Sequence, residues 1–190
     1  TDDGPDRLQL DVRLTPSGDA RWTVTTYVPL EGETEAEAFR ELGRDYVNGT
    51  ADVELDADLF RRYAAAARSA SGREMRIPGA SVEREWAVEE GTGVLRLRFT
   101  WTEFARADGE QFVVDDAFRT GSGTWLPRLE DGQELVIHPP EEGRFLETPK
   151  RVTDARLRWE GPQSFGPDYF YIVYRTDEPG TDATPTERDG

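Results

Sequence analysis

The chain is 190 residues long and carries 39 acidic against 23 basic side chains, a formal net charge of -16. Apolar residues make up 36% of it and aromatics 11%, enough to build one domain around a core, which excludes wholesale disorder. Cysteine is absent, which excludes disulfides and thiolate chemistry, and no run of about 18 apolar residues offers a membrane span.

Residues 1–6 carry no signal-peptide pattern and are expected to form a flexible N-terminus. Leu8, Leu10, Val12 and Leu14 then alternate with Gln9, Asp11 and Arg13, placing four apolar side chains on one face of a strand. Pro16, Ser17, Gly18 and Asp19 turn the chain, and Trp22, Val24, Thr26 and Val28 continue on a second strand to make a hairpin. Thr34 and Glu37 have capping-box spacing, followed by Phe39, Leu42, Tyr46 and Val47 at helical spacing until Asn48-Gly49. Asp56 is expected to cap a second helix with Leu59, Phe60, Tyr63 and Ala67 as its buried stripe, ending near Ser71 and Gly72. Two such helices in succession predict a pair lying on one face of a sheet.

From Met75 onward the pattern is almost entirely strand. Val82, Trp86 and Val88 lead into a turn at residues 89–93. Leu95, Leu97, Phe99 and Trp101 then point one way while Arg96, Arg98, Thr100 and Thr102 point the other, so one face is core and the other is wet. Asp108-Gly109 is a hairpin signal ahead of Phe112, Val113 and Val114. Short strands are expected at residues 135–137, 156–159 and 169–174, the last with no polar side and so buried on both faces. Residues 177–190 hold only small and polar side chains, rich in Asp, Glu, Thr, Pro and Gly, and read as a disordered acidic tail or stalk.

The charge has its own logic. Of the basic residues, only Lys150 is lysine, and Asn48 is the sole asparagine, a bias that a GC-rich genome explains. The acid excess needs another cause. At molar salt the screening length falls to roughly 3 Å, so self-repulsion largely disappears while carboxylates keep the surface hydrated. Acid excess with almost no lysine therefore predicts a halophilic archaeal protein with an acidic surface. An anionic domain cannot neutralise phosphates, so direct nucleic-acid binding is not expected.

No catalytic constellation emerges. His138 is the only histidine and follows a short strand, so any imidazole-based catalytic or metal site would rest on it alone. Gly121-Ser122-Gly123 fails the spacing of a nucleophile elbow, and Lys150 lies in a polar loop unsuited to Schiff-base chemistry. Asp52, Glu54, Asp56 and Asp58 alternate like a calcium loop, yet the sixth and twelfth positions are Ala57 and Tyr63 where glycine and glutamate are required. The pairs Glu89-Glu90 and Asp115-Asp116 are expected to decorate turns and strand ends. Asn48-Gly49-Thr50 is an N-glycosylation acceptor if the chain faces outward, and equally a left-handed helix end.

Residues 21–27, 71–75, 93–118 and 157–165 together resemble the ectodomain of a haloarchaeal membrane-anchored family of unknown function, the similarity running over residues 7–176. The resemblance implies a secretion signal before an α+β domain, a membrane helix after it and, in many members, a cytoplasmic winged helix-turn-helix domain. Thr1 would then lie near the mature N-terminus, with the tail as juxtamembrane linker. It implies no catalytic residues.

The expectation is thus a single α+β domain over residues 7–176, a mostly antiparallel β sandwich or curled sheet with two amphipathic helices on one side. Its role is expected to be non-enzymatic: an extracellular sensing or protein-interaction module with a protein or small-molecule ligand, no cofactor and no metal. Asn48 is the candidate glycosylation site, and membrane contact is expected only through a segment outside this chain. A carboxylate-based extracellular hydrolase or metal-dependent enzyme and a structural envelope component are the alternatives.

Overall fold

The computed structural model describes residues 7–53 and 56–176; the expected N-terminal segment 1–6 and tail 177–190 lie outside the described residues. Along the chain run β1 (Arg7–Leu14), β2 (Ala20–Pro29), α1 (Glu33–Asn48), α2 (Ala57–Ser71), β3 (Glu83–Glu89), β4 (Thr92–Trp101), β5 (Arg106–Asp108), β6 (Gln111–Val114), β7 (Arg119–Thr120) and β8 (Gly123–Thr124). β9 (Arg128–Leu129), β10 (Gln133–His138), β11 (Gly143–Glu147), β12 (Leu157–Glu160), β13 (Gln163–Ser164) and β14 (Ile172–Thr176) complete it. The architecture is α+β with mostly antiparallel sheets, as the alternating and helical patterns predict.

β1 and β2 form the expected hairpin, paired from Arg7 with Tyr27 to Leu14 with Ala20. β4 runs antiparallel to β2, and β3 returns along β4 through a turn at Glu90 and Gly91. Both turn residues hold positive φ, 50° and 79°, the mirror-image geometry that suits strand twist. The other flank of the hairpin is less local. β10 lies beside β1 in parallel, Leu8 with Gln133 through Arg13 with His138, and β12 adds antiparallel to β10. The result is a six-stranded sheet ordered β12-β10-β1-β2-β4-β3, accompanied by a four-stranded sheet ordered β11-β14-β6-β5.

The inner face of the large sheet carries Leu10, Val12, Leu14, Trp22, Val24, Leu97, Phe99, Trp101, Leu135, Ile137, Leu157 and Trp159, all buried. Phe60 of α2, Val114, Phe118, Phe170 and Tyr174 close over it to form one core. Trp22 sits at its centre with ring centroids of Phe60, Phe99, Trp101, Phe104, Trp125 and Phe118 at 5.7–6.5 Å. α1 covers the β3–β4 end with a smaller cluster of Phe39, Tyr46 and Leu95, joined by Trp86. Both helices lie on this one face, as expected.

Several local expectations are corrected. α1 starts at Glu33 behind Gly32, not at a Thr34 cap, and no side chain caps its N-terminus; instead the Glu35 carboxylate accepts the Glu31 N–H at 2.7 Å. Its buried face is Ala36, Phe39, Gly43 and Tyr46, while Val47 is 46% exposed. Gly43 is the reason: a Cβ there would meet Trp86 side-chain atoms at 2.4–2.9 Å, so glycine lets the helix lie against the indole. In α2 the buried face is Ala57, Phe60, Ala64 and Ala67, small residues that bring the helix close to the sheet. Asp56 is at the N-cap position but its side chain makes no capping hydrogen bond; Arg84 takes its carboxylate at 2.8 and 3.2 Å. The last strand begins at Ile172, not Tyr169. It is central and buried through Ile172, Val173 and Tyr174, whereas Tyr171 is 43% exposed.

Candidate functional site

On the face of the large sheet opposite the core, strand register places the side chains in rows, with Thr25, Val94 and Val136 buried among them. At one end His138, Arg13, Arg21 and Thr100 lie side by side across β10, β1, β2 and β4. The next row is Arg158, Val136, Asp11, Thr23, Arg98 and Glu83, and the next is Glu160, Glu134, Gln9, Thr25, Arg96 and Glu85. Arg7, Tyr27, Val94 and Ala87 follow, then Pro29, Thr92 and Glu89. Six arginines thus share the face with six carboxylates, a balanced charge on a chain that carries 39 acids against 23 bases.

Most of these charges are tied down. Glu85 accepts from Arg96 at 3.0 Å and pairs with Arg98 at 3.1 Å. The Arg96 hydrogen bond, ahead of the Arg98 charge, holds the Glu85 carboxyl below its ordinary pKa. Arg158 bridges Glu134 and Glu160, and Gln9 donates to Glu134 at 3.4 Å. The Arg7 guanidinium lies over the Tyr27 ring, 5.2 Å from its centroid. Asp11 Oδ2 is 3.0 Å from His138 Nε2. The exceptions among the arginines are Arg13 and Arg21, directly opposite each other on neighbouring strands. Both are exposed, and neither has an ion-pair or hydrogen-bond partner among the described residues.

Two shallow hollows flank this pattern. The larger, about 660 Å³, is bordered by Arg7, Tyr27, Glu89, Glu90, Thr92 and Val94. The second, about 440 Å³, is lined by Arg13, Arg21, Thr23, Arg98 and Thr100 together with Asp11 and Glu83.

The other candidate residues lie apart from this face or are already engaged. Asn48 is the last residue of α1 and exposed. Behind it Gly49 adopts the left-handed cap, its N–H bonded to Tyr46 O at 3.0 Å and the Thr50 N–H to Asp45 O at 2.8 Å, a Schellman closure. His138 closes β10 with its ring bonded to Asp11. The exposed Lys150 ammonium sits 5.4 Å from the Trp159 ring centroid and donates to the Arg158 carbonyl. Asp115 is gripped by Arg106 at 3.1 and 2.9 Å, and Asp116 by Arg73 at 3.0 and 2.5 Å. Two adjacent acids thus serve two different anchors. Of the calcium-like run, Asp56 is bound by Arg84 and Asp58 by Arg61 at 3.1 Å, while Glu54 lies outside the described residues. Among the described residues no three Asp, Glu or His side chains are grouped to hold a metal ion, and no helix is long and apolar enough to cross a membrane.

Sequence reasoning named Arg13, Arg96 and Arg98 as outward-facing but did not assemble them into one surface. The signal was available for the hairpin alone: an eight-residue register across residues 15–19 sets Arg13 opposite Arg21. The order of the remaining strands was not.

The sequence of residues 11–142 matches the family model described as Domain of unknown function (DUF7345), and the chain belongs to that family. The match runs from the middle of β1 past β10; of the strands beyond it, β12 completes the six-stranded sheet, β11 and β14 the four-stranded one, and β13 pairs with β9. No curated protein matches the chain. Among solved structures, the NMR structure of the folded domain of the LppM protein of Mycobacterium tuberculosis is similar, with a TM-score of 0.48 and 12% identity over 93% of this chain and 92% of that one.

Proposed function

We propose that this member of the DUF7345 family is a non-enzymatic recognition domain, displayed on the extracytoplasmic side of a membrane in a salt-adapted organism, that binds its partner through the open face of the six-stranded sheet. One observation carries the reading. On an acid-rich chain this face is charge-balanced and set with arginines, threonine hydroxyls and the Tyr27 ring on adjoining strands, a rigid platform for polar recognition. The buried aromatics behind it hold the strands in register and are the stabilising half of the same sheet. The extracytoplasmic placement and the salt adaptation are supported by the acidic, lysine-poor composition, and Asn48 in its exposed position suits modification by a glycan.

The test uses the full-length gene product in its native host and the isolated domain. Trypsin added to intact cells is expected to cleave the domain while a cytoplasmic marker survives; a protected domain overturns the placement. The immobilised domain is expected to retain material from the host's envelope fraction, to lose it in the Tyr27→Ala, Arg98→Glu variant, and to keep it in Glu41→Arg on the far surface of α1. Equal retention by all three removes the open face from recognition. Salt adaptation predicts a melting temperature that rises between dilute buffer and about 2 M KCl; a constant value sinks it.

A further inference from the structure

The Arg13–Arg21 pair has a cost that the fold itself does not repay. Like charges directly opposite on antiparallel strands have Cβ atoms roughly 5 Å apart and destabilise the pairing. A chain with 39 acids has ample carboxylates to place there, and every other arginine on this face meets a carboxylate or a ring. Arg13 and Arg21 meet neither among the described residues. The adjoining row contributes Arg98, whose guanidinium is drawn toward Glu85 at 3.1 Å yet borders the same hollow of about 440 Å³. The Thr23 and Thr100 hydroxyls line it and have no hydrogen-bond partner among the described residues. Two acids line the hollow as well, against three arginines: Asp11 is bonded to His138, and Glu83 stands exposed on the edge strand.

We propose that this hollow is an oxyanion-binding site, in which Arg13 and Arg21 grip one phosphate, sulfate or carboxylate group from two sides while Thr23 and Thr100 donate hydroxyl hydrogen bonds to it. Guanidinium forks match the geometry of such anions and bind them through paired charge-assisted hydrogen bonds. An anion bound there offsets the repulsion between the two facing guanidinium groups. The assignment rests on the recognition reading above, narrowing its ligand to a group that carries an oxyanion. The acid excess of the chain as a whole makes a surface where arginines outnumber acids the favoured place for an anion.

The experiment is a titration of the ¹⁵N-labelled domain, at constant ionic strength in KCl, with inorganic phosphate, sulfate and glucuronate in turn, following the arginine Nε–H signals and the amides of β1, β2 and β4. Saturable shifts centred on Arg13, Arg21, Thr23 and Thr100 are expected in the millimolar range. The three probes separate a tetrahedral dianion from a sugar carboxylate as the preferred form. Arg21→Gln and Arg13→Gln are each expected to weaken binding by about tenfold. Each is also expected to raise the anion-free melting temperature in dilute buffer, where the repulsion is unscreened, by about 1–3 °C. A structural role would lower that temperature instead. The proposal is overturned if none of the three anions gives saturable shifts, if the variants bind as the parent does, or if either variant melts lower. Failure here with the envelope fraction still retained by the open face leaves the recognition reading standing. Anion binding at this hollow in a domain that proves cytoplasmic does the reverse.

Discussion

The two faces of β2 show how one strand divides its labour. Trp22 and Val24 point inward, 1% and 2% exposed, and meet aromatic and aliphatic groups from both sheets and α2. Thr23 and Arg21, their immediate neighbours, point outward into the arginine rows. The inner face is irreplaceable in shape because six rings surround Trp22, and every atom removed leaves a void. The outer face holds charges whose pairwise energies are small in water. Stability therefore lives on one side and the freedom to vary, or to bind, on the other.

The largest expected break of that contrast is Trp22→Ala, which should lower unfolding free energy by about 3–5 kcal/mol in urea denaturation. Its outward neighbour, Thr23→Ala, should change the same quantity by less than about 0.5 kcal/mol. A loss above that limit would mean the open face is structural. Between these extremes, Gly43→Ala should cost about 1–3 kcal/mol, since its new methyl overlaps the Trp86 indole and must push α1 off β3; near-UV circular dichroism should report the disturbed indole. An unchanged stability would show that α1 rides loosely.

The smallest effect is a matter of pH. Glu85 titrates lower when folded than when unfolded, so its contribution is present above the unfolded value near 4.3 and is lost as pH falls through the folded value. Because its side chain is 46% exposed, screening limits the contribution to about 0.3 kcal/mol. Glu85→Gln should flatten the fall in unfolding free energy, measured by urea denaturation between neutral pH and acid, by that amount. An identical slope would mean the Arg96 and Arg98 contacts carry no net stability.

Much of the local structure was legible in the residues themselves. The alternation in β1, β2 and β4 set which side chains face inward, because a strand has a period of two. Both helices ended where Gly49 and Gly72 allow a left-handed cap, a conformation that glycine adopts without Cβ strain. The helix beginnings misled. Thr34 and Glu37 have the spacing of a cap without occupying one, and the carboxylate of Asp56 went to Arg84, twenty-eight residues away. Likewise residues 169–174 form a continuous apolar run, but only its second half pairs with β6 and β11.

The amino-acid sequence by itself determined the acid excess, the hairpins, the two amphipathic helices and the sidedness of the long strands, since each follows from neighbours a few residues apart. Tertiary structure alone decided that β10 joins β1 in parallel, that Gly43 admits the Trp86 ring, and that Arg13, Arg21 and Arg98 border one hollow. Those outcomes depend on contacts between distant segments, whose choice of partner is set by how well whole faces bury together and leaves no periodic mark on the chain.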